Sequence, residues 1–345
     1  MQLTQRLISA NSDHGEFQSA TANNKVLMST SFTTDYTLTV PSAQCTANYV
    51  LTNYWGSVLI FGTALLVLPS YISTLMCFMS KNTLGFSILV CFLVFYLVMV
   101  IWSFALTHST APPSIPERYY FTKEENAFVQ DYEKTTEVET RQSMHERLSD
   151  MARRRGIRTC ARDGSVNYCI TCKIIKPERT HHCSICQQCV LRMDHHCPFF
   201  GNCIHFENAK FFLLTLFYGC LGAIYVLVTG VACLSMRSSM PECSNRSFFW
   251  FGAMTLYCGL LAILVSLFFA FSMKNAMHNQ TTLESMSDIV FIDGKPHSYD
   301  LGSVRSNLKQ IFGPISVLWL VPVHTTPGDG TDFPLRDDLT SIEFT

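Results

Sequence analysis

Four stretches of this chain contain no Asp, Glu, Lys, Arg or His: residues 55–79, 84–106, 211–236 and 248–273. Each exceeds the roughly 20 residues that an α-helix needs to cross the hydrocarbon core of a bilayer. Within that core every backbone N–H and C=O must be satisfied inside the segment, which is why helices are used there. A buried soluble helix can imitate one such block, but not four blocks paired across short polar gaps. The predicted fold is therefore an α-helical integral membrane protein with four transmembrane helices, in a chain that is 48% hydrophobic and only 15% charged.

Only residues 80–83 separate the first two blocks and 237–247 the last two, so each pair forms a helical hairpin and the rest of the chain lies on one side. Arg118, Lys123, Arg192, Lys210 and Lys274 flank the spans on that side, against Lys81, Arg237 and Arg246 in the short loops. The positive-inside rule then puts both termini and the central segment in the cytosol. No charged region followed by a short apolar core opens the chain, so no cleaved signal peptide is expected. The predicted organisation is a polar N-terminal tail (1–53), a transmembrane hairpin (54–106), a linker (107–165), a cysteine-rich module (166–210), a second hairpin (211–273) and a C-terminal region (274–345). Residues 124–151 read as one surface helix. Residues 311–323 are apolar, too short to span, and contain Pro314 and Pro322, so docking against the helices or an interfacial position is expected. The acidic, Gly/Pro-containing end from Pro327 reads as loose, and no internal repeat is read. A net charge of -1 says nothing about partners; the bilayer is the first of them, and no nucleic acid is expected.

The cysteine-rich module carries the chemistry. Its potential ligands are Cys169, Cys172, His181, His182, Cys183, Cys186, Cys189, His195, His196, Cys197 and Cys203. A Cys-x2-Cys pair turns two thiolates toward one metal at about 2.3 Å, and a tetrahedral zinc then needs two more ligands from elsewhere. Two such pairs in a reducing compartment point to zinc rather than disulfides. Two closed sites of three cysteines and one histidine consume six of the seven cysteines and leave one thiol over. Spacing alone leaves open which one. Cys197 is the cysteine flanked by groups suited to activating a nucleophile, with Asp194, His195 and His196 before it and Pro198 after it.

Asp194-His195-His196-Cys197, together with the preceding Cys/His spacing, resembles the DHHC family of protein S-acyltransferases. The resemblance covers residues 168–208 and both hairpins. It extends to Thr281-Thr282-Leu283-Glu284, which is similar to the family's TTxE motif, and to Asn307 through Phe312-Gly313, similar to its C-terminal Asn-and-aromatic motif. The ending from Gly328 to Pro334 is similar to that of compact four-span members.

The resemblance implies one zinc on Cys169, Cys172, His182 and Cys189, and a second on Cys183, Cys186, His196 and Cys203. Cys197 would be the nucleophile, His195 its general base and Asp194 the partner that orients His195, with His196 structural. It implies transfer of a long-chain, palmitoyl-type acyl group from acyl-coenzyme A, through a thioester on Cys197, to cysteines of membrane-associated proteins presented on the cytosolic side. An endomembrane location follows: Golgi, endoplasmic reticulum or plasma membrane. Lys173, Lys176, Arg179 and Arg192 are expected to offset the negative zinc sites and to help hold coenzyme A, or to be simple solvated charges. The basic run Arg153, Arg154, Arg155, Arg158 and Arg162 is either a solvated face or a contact with the anionic leaflet or coenzyme A phosphates.

A zinc-stabilised adaptor and a zinc-module ubiquitin ligase are the rival readings. An adaptor has no need of a spare thiol beside an Asp-His pair, and the ligands are too compact in sequence for a cross-braced RING.

Secondary signals are weaker. Thr281-x2-Glu284 has the form of a helix capping box, read as a structural tie to the module together with Thr282. Gly219, Gly222 and Ala223 either pack helices closely or leave room for an acyl tail. Cys160 could itself be acylated, and the sequon Asn245-Arg-Ser247 lies too near the last span for use. Two departures from the family stand out. Phe199 replaces the usual tryptophan and keeps an aromatic face near the thioester, while His205 replaces a glycine and is expected to force a non-glycine backbone into a turn.

Overall fold

The computed structural model describes residues 62, 68, 69, 71–73, 75, 76, 83–235 and 245–338. The polar tail and most of the first predicted span lie outside the described residues. Those of the span that are described are helical, and Tyr71 and Leu75 are buried against Leu93, Val226 and Phe251.

Three long helices account for the other spans: α1 (Thr83–Ser109), α4 (Ala209–Ser235) and α5 (Asn245–Met277). Each is long and apolar enough to cross a membrane, and α4 is the most buried because it packs against both α1 and α5. The outer faces are apolar too. Phe92, Phe95 and Val98 on α1 and Leu260, Leu264 and Leu267 on α5 are exposed. Apolar rows of that size on a helix surface are stable against lipid rather than water. Small residues set the helix spacing: a β-carbon on Gly230 would collide with the Thr255 side chain, and one on Gly222 would already touch Tyr96 at 3.4 Å. Of the two readings of the small residues on α4, close packing is the one these contacts support at Gly222.

The linker holds two helices, α2 (Lys123–Lys134) and α3 (Val138–Arg154), instead of the single helix expected. Thr122 and Glu125 close a capping box at the start of α2. Thr135 then turns extended, and its carbonyl accepts a hydrogen bond from Arg141 Nη1 at 2.9 Å. The two amphipathic helices bury Val129, Tyr132, Met144, Leu148 and Met151 against Ile175 of the module.

Four two-stranded antiparallel ladders follow, the first joining the linker to the C-terminal region and the other three making up the module: β1 (Thr159–Cys160) with β8 (Val290–Phe291), β2 (Tyr168–Cys169) with β3 (Ile174–Ile175), β4 (His181–Cys183) with β5 (Gln188–Val190), and β6 (His195–Cys197) with β7 (Asn202–Ile204). Strands of two or three residues cannot hold together alone.

The last three ladders are one hairpin used three times. Cys169, Cys183 and Cys197 stand 14 residues apart, as do Cys172, Cys186 and Phe200. So do Lys173, Gln187 and Gly201, which take the left-handed turn conformation with φ of 54°, 54° and 57°. This corrects the reading that the chain has no internal repeat; the unit is short, and substitution at its cysteine and histidine positions hides it.

After α5, a short helix α6 (Thr282–Met286) and α7 (Val304–Phe312) lead back toward the bundle. Residues 311–323 dock on the helices through Ile311, Phe312 and Trp319 while leaving Ile315, Val317 and Leu320 exposed. Lys210 Nζ donates to the carbonyls of Leu318 and Val323, each at 2.8 Å, and holds this segment down. The end from Pro327 is not loose as far as residue 338. Thr331, Phe333 and Leu335 are buried, and the positive φ values of Gly328 and Gly330 make a defined turn rather than a flexible tail.

Candidate functional site

Two clusters of potential metal ligands emerge from the hairpin repeat. Cys169, Cys172, His182 and Cys189 form one, and Cys183, Cys186, His196 and Cys203 the other; within each, the ligand atoms lie within 4.8 Å of one another. The first two hairpins each give a Cys-x2-Cys knuckle to a cluster, and the second and third each give a His–Cys cross-strand pair to the cluster of the hairpin before, since His182 is opposite Cys189 and His196 opposite Cys203.

The geometry fits zinc. A tetrahedral ion with sulfur at about 2.3 Å and nitrogen at about 2.1 Å requires an S···N edge of about 3.6 Å. The sulfurs stand 3.4–3.8 Å from His182 Nδ1 in the first cluster and 3.4–3.7 Å from His196 Nδ1 in the second. The clusters can therefore hold metal ions, and both donor sets are those of structural zinc sites.

The same repeat explains the spare thiol. In the third hairpin the second knuckle position is Phe200 instead of cysteine, and among the described residues no fourth hairpin follows to supply a His–Cys pair. Cys197 thus occupies a metal-knuckle backbone without a metal cluster. It is buried among Phe200, Phe212 and Leu213 at the module-side ends of the apolar helices.

The His195 imidazole interacts electrostatically with the neighbouring Cys197 thiol. Its Nδ1 lies 2.6 Å from Asp194 Oδ2, which leaves Nε2 for the sulfur. The imidazole edge meets the rings of Phe212 and Phe268 at 5.5 and 6.5 Å between centroids. Burial draws the His195 pKa down, but the hydrogen bonds and charges of Asp194 and Cys197 outweigh it and push it up to about 9. Burial likewise works against the Asp194 charge, yet His195 and Thr282 hold that carboxyl below its ordinary value. The Thr282 N–H donates to Asp194 Oδ1 and its hydroxyl to Oδ2, both at 2.8 Å. A carboxylate fixed by three donors, an imidazole fixed by the carboxylate, and a thiol facing the imidazole can hold a proton away from sulfur and return it.

Thr281 and Glu284 do form the capping box at the start of α6, and Glu284 also reaches into the module. Arg179 donates to its two carboxylate oxygens at 2.7 and 2.6 Å, and to Asn279 Oδ1 and O at 3.2 and 2.7 Å. Arg179 is 6% exposed and Arg192 4%, so both belong to the interior and are not available to a coenzyme A phosphate at the surface. Burial lowers the Arg192 pKa to about 10, with the neighbouring Arg179 charge acting in the same direction. Lys173 is exposed, Lys176 is half-buried, and Phe199 is exposed beside Cys197.

The basic run is divided in the same way. Arg155 pairs with Glu125 at 2.6 Å and Arg158 with the buried Glu178 at 2.8 Å, so these two are internal ties, whereas Arg153 pairs with Asp150 in solvent. Asn307 is structural: its amide donates to the Met277 carbonyl and to Asp300, both at 2.7 Å, and it ties α7 to the end of α5.

The residues that seat the module on the membrane helices went unnoticed in the sequence. The Asn202 side-chain amide lies 3.1, 3.2 and 2.8 Å from the carbonyls of Thr107, His108 and Thr110, the unsatisfied acceptors at the end of α1. Asn208 reaches the Thr107 and Cys203 carbonyls, and His108 Nδ1 donates to the Phe200 carbonyl at 2.6 Å. The turn at His205 is not strained, because His205 is absent from the residues with positive φ. Its ring is fully buried, accepts from the Glu207 N–H on Nδ1, and so donates from Nε2 to the Thr110 carbonyl at 3.2 Å. Burial pushes its pKa down to about 4, which keeps it neutral. The only signal for this seat was the recurrence of Asn and His at the module's C-terminal edge. Asn202→Ala should lower stability by about 1–3 kcal/mol, because it removes a donor from three carbonyls, of which Thr107 keeps Asn208 and Thr110 keeps His205 while that of His108 loses its side-chain donor. Thermal unfolding in detergent checks this, and an unchanged midpoint would remove Asn202 from the anchor.

The comparisons with known proteins agree with this geometry. The sequence profile of DHHC palmitoyltransferase matches residues 163–289. The chain is 32% identical to the human Palmitoyltransferase ZDHHC15 over 242 residues, covering 69% of each chain. It is 34% identical to the human Palmitoyltransferase ZDHHC20 over 249 residues, covering 72% of this chain and 66% of that one. It is also 31% identical to the mouse Palmitoyltransferase ZDHHC2 over 268 residues, covering 75% and 69%. With the family profile spanning both Cys/His clusters and 31–34% identity over more than two thirds of the chain, this chain is a member of the DHHC palmitoyltransferase family.

Proposed function

We propose that this protein is a membrane-embedded protein S-palmitoyltransferase that carries the acyl group on Cys197. The observation that carries the reading is that Cys197, alone among the module's seven cysteines, belongs to neither metal cluster and instead faces an Asp-paired histidine. Zinc on the two Cys3His sets would supply structure and no reaction step. The helical topology and positive-inside distribution support a module at the cytosolic face of an endomembrane.

In the first half-reaction His195 takes the Cys197 proton and the sulfur attacks the thioester carbonyl of acyl-coenzyme A. The S–C bond to coenzyme A breaks, the His195 proton goes to the departing coenzyme A thiolate, and an acyl-Cys197 thioester remains. In the second, His195 takes the proton of a substrate cysteine, whose sulfur attacks the acyl-Cys197 carbonyl; Cys197 leaves and regains a proton. The fatty chain would lie among the apolar residues around Cys197, such as Phe104, Phe212, Leu216, Phe217 and Phe269. Burial stabilises it by about 0.8 kcal/mol per methylene. Lys173 and Lys176 remain as cationic side chains of the module within reach of solvent, and so as candidates for the coenzyme A phosphates. Membrane-associated proteins with a cytosolic cysteine are the acceptors.

The test is a chase. Purified protein charged with labelled palmitoyl-coenzyme A is desalted and then given a cysteine-containing peptide in the same micelle. Label should move to the peptide without further acyl-coenzyme A. Transfer only while acyl-coenzyme A is present would refute a covalent intermediate.

A further inference from the structure

Residues 327–338 form a strap that folds back over the module. Gly328 and Gly330 take φ of 87° and 80°, and a β-carbon on Gly330 would collide with the ring of Phe206. Between them Asp329 Oδ1 accepts from the N–H and hydroxyl of Thr331 at 2.9 and 2.8 Å, which closes the turn. Beyond the turn, the Phe333 carbonyl accepts from Arg158 Nη2 at 2.6 Å. The Arg336 N–H donates to the Ser298 carbonyl at 3.0 Å. The turn and these bonds drive one side chain inward: Phe333 is 5% exposed, and its ring packs edge-on against Tyr299 at 6.1 Å between centroids.

Both rings converge on one cation. Arg179 Cζ lies 4.7 Å from the Tyr299 centroid and 5.0 Å from that of Phe333. A guanidinium is planar, and its fork can pair a carboxylate only in that plane, so rings packed against it fix the direction in which it donates. Here it donates to Glu284 through two bonds. Glu284 Oε2 in turn accepts from the Thr281 N–H at 2.9 Å, the cap bond that sets the first turn of α6. The next residue, Thr282, grips both oxygens of Asp194. Phe333, Tyr299, Arg179 and Thr281 are buried and Glu284, Thr282 and Asp194 half-buried, and the links run without a gap from Phe333 to the carboxylate that orients His195.

We propose that Phe333 and Tyr299 are positioning residues of the acyl-transfer site, acting through Arg179, Glu284 and Thr282 on Asp194. The Gly-Asp-Gly turn and the Phe that follows it are thus part of the transfer apparatus although they touch no reacting atom. This rests on the assignment of Cys197, His195 and Asp194 made above.

The experiment uses full-length protein in detergent and single-turnover labelling with palmitoyl-coenzyme A. It reads the rate constant, the half-saturating concentration, and the acyl-enzyme stoichiometry per zinc-loaded chain. For Phe333→Ala the rate constant at saturation should fall about tenfold, with stoichiometry and half-saturation retained, because the nucleophile is present but its base is misoriented. Phe333→Tyr, which keeps a ring over Arg179, should recover most of the rate. Should Phe333→Ala lose zinc, Phe333→Leu decides the matter: it keeps apolar volume without the aromatic quadrupole, and should still be slowed about threefold with zinc intact. An unchanged rate constant in these variants would overturn the proposal, as would a fall in stoichiometry alone, the signature of a merely structural role. Label on Cys197→Ser would instead bring down the Cys197 assignment and the strap's role with it, a pattern that neither Phe333 variant gives.

Discussion

Cys197→Ser should abolish hydroxylamine-sensitive acylation of the protein, lowering acyl-enzyme formation by at least about a thousandfold, while zinc content stays at its wild-type value. The two halves of this expectation rest on different parts of the structure. Acylation is lost because a serine hydroxyl titrates far above a thiol, so the same imidazole cannot generate the nucleophile. Zinc is kept because Cys197 contributes no ligand atom to either cluster. The substitution is also gentle in space: the side chain is buried between Phe200 and the end of α4, and oxygen for sulfur leaves the backbone register with Asn202 intact. Label and zinc measured on the same preparation check both halves. Loss of zinc in the serine variant would mean that Cys197 is a metal ligand, and wild-type levels of label would mean that another thiol carries the acyl group.

How much of this was legible in the sequence varies with the range of the interaction. The spans announce themselves because a lipid-facing helix must be apolar over some 20 consecutive residues, a purely local requirement. The division of ligands between two clusters was not legible from spacing treated as a set of isolated pairs; it came from the family resemblance. Yet a local signal existed. The 14-residue recurrence of Cys169, Cys183 and Cys197 puts each knuckle in register with the next and singles out Phe200 as the position where the third knuckle fails.

Electrostatic roles were misread where partners are distant. Arg179 and Glu284 are separated by 105 residues, and nothing near either marks the pair as buried. A guanidinium among other basic residues then reads as a solvated or ligand-facing charge. The strap failed for a related reason. Gly328, Asp329 and Gly330 have the composition of a loose end, and it takes the Asp329–Thr331 bonds together with the packing of Gly330 on Phe206 to make them a fixed turn.

Cys203→Ala should remove one zinc per chain and lower acyl-enzyme formation by at least about a hundredfold, more than Cys172→Ala, which opens the other cluster. The difference follows from which hairpin each cluster closes. Cys203 is paired across the ladder with His196, one residue from Cys197, and this cross-strand pair together with Cys183 and Cys186 fastens the third hairpin to the second. Strands of three residues have no other means of holding register, and a structural zinc contributes roughly 10–16 kcal/mol of apparent binding free energy to such folds. Without it, His195 and Cys197 lose the backbone that fixes their separation, although Asp194 stays tied to Thr282. Cys172 sits in the first hairpin and its cluster joins that hairpin to the second, so its loss reaches Cys197 only by loosening the second hairpin, and Asn202 still pins the third to the end of α1. Zinc per chain by elemental analysis, beside the rate of label incorporation, separates the two variants. Equal losses of activity with one zinc retained in each would show that the three hairpins fold as a single unit, and that the clusters do not act on Cys197 in order of proximity.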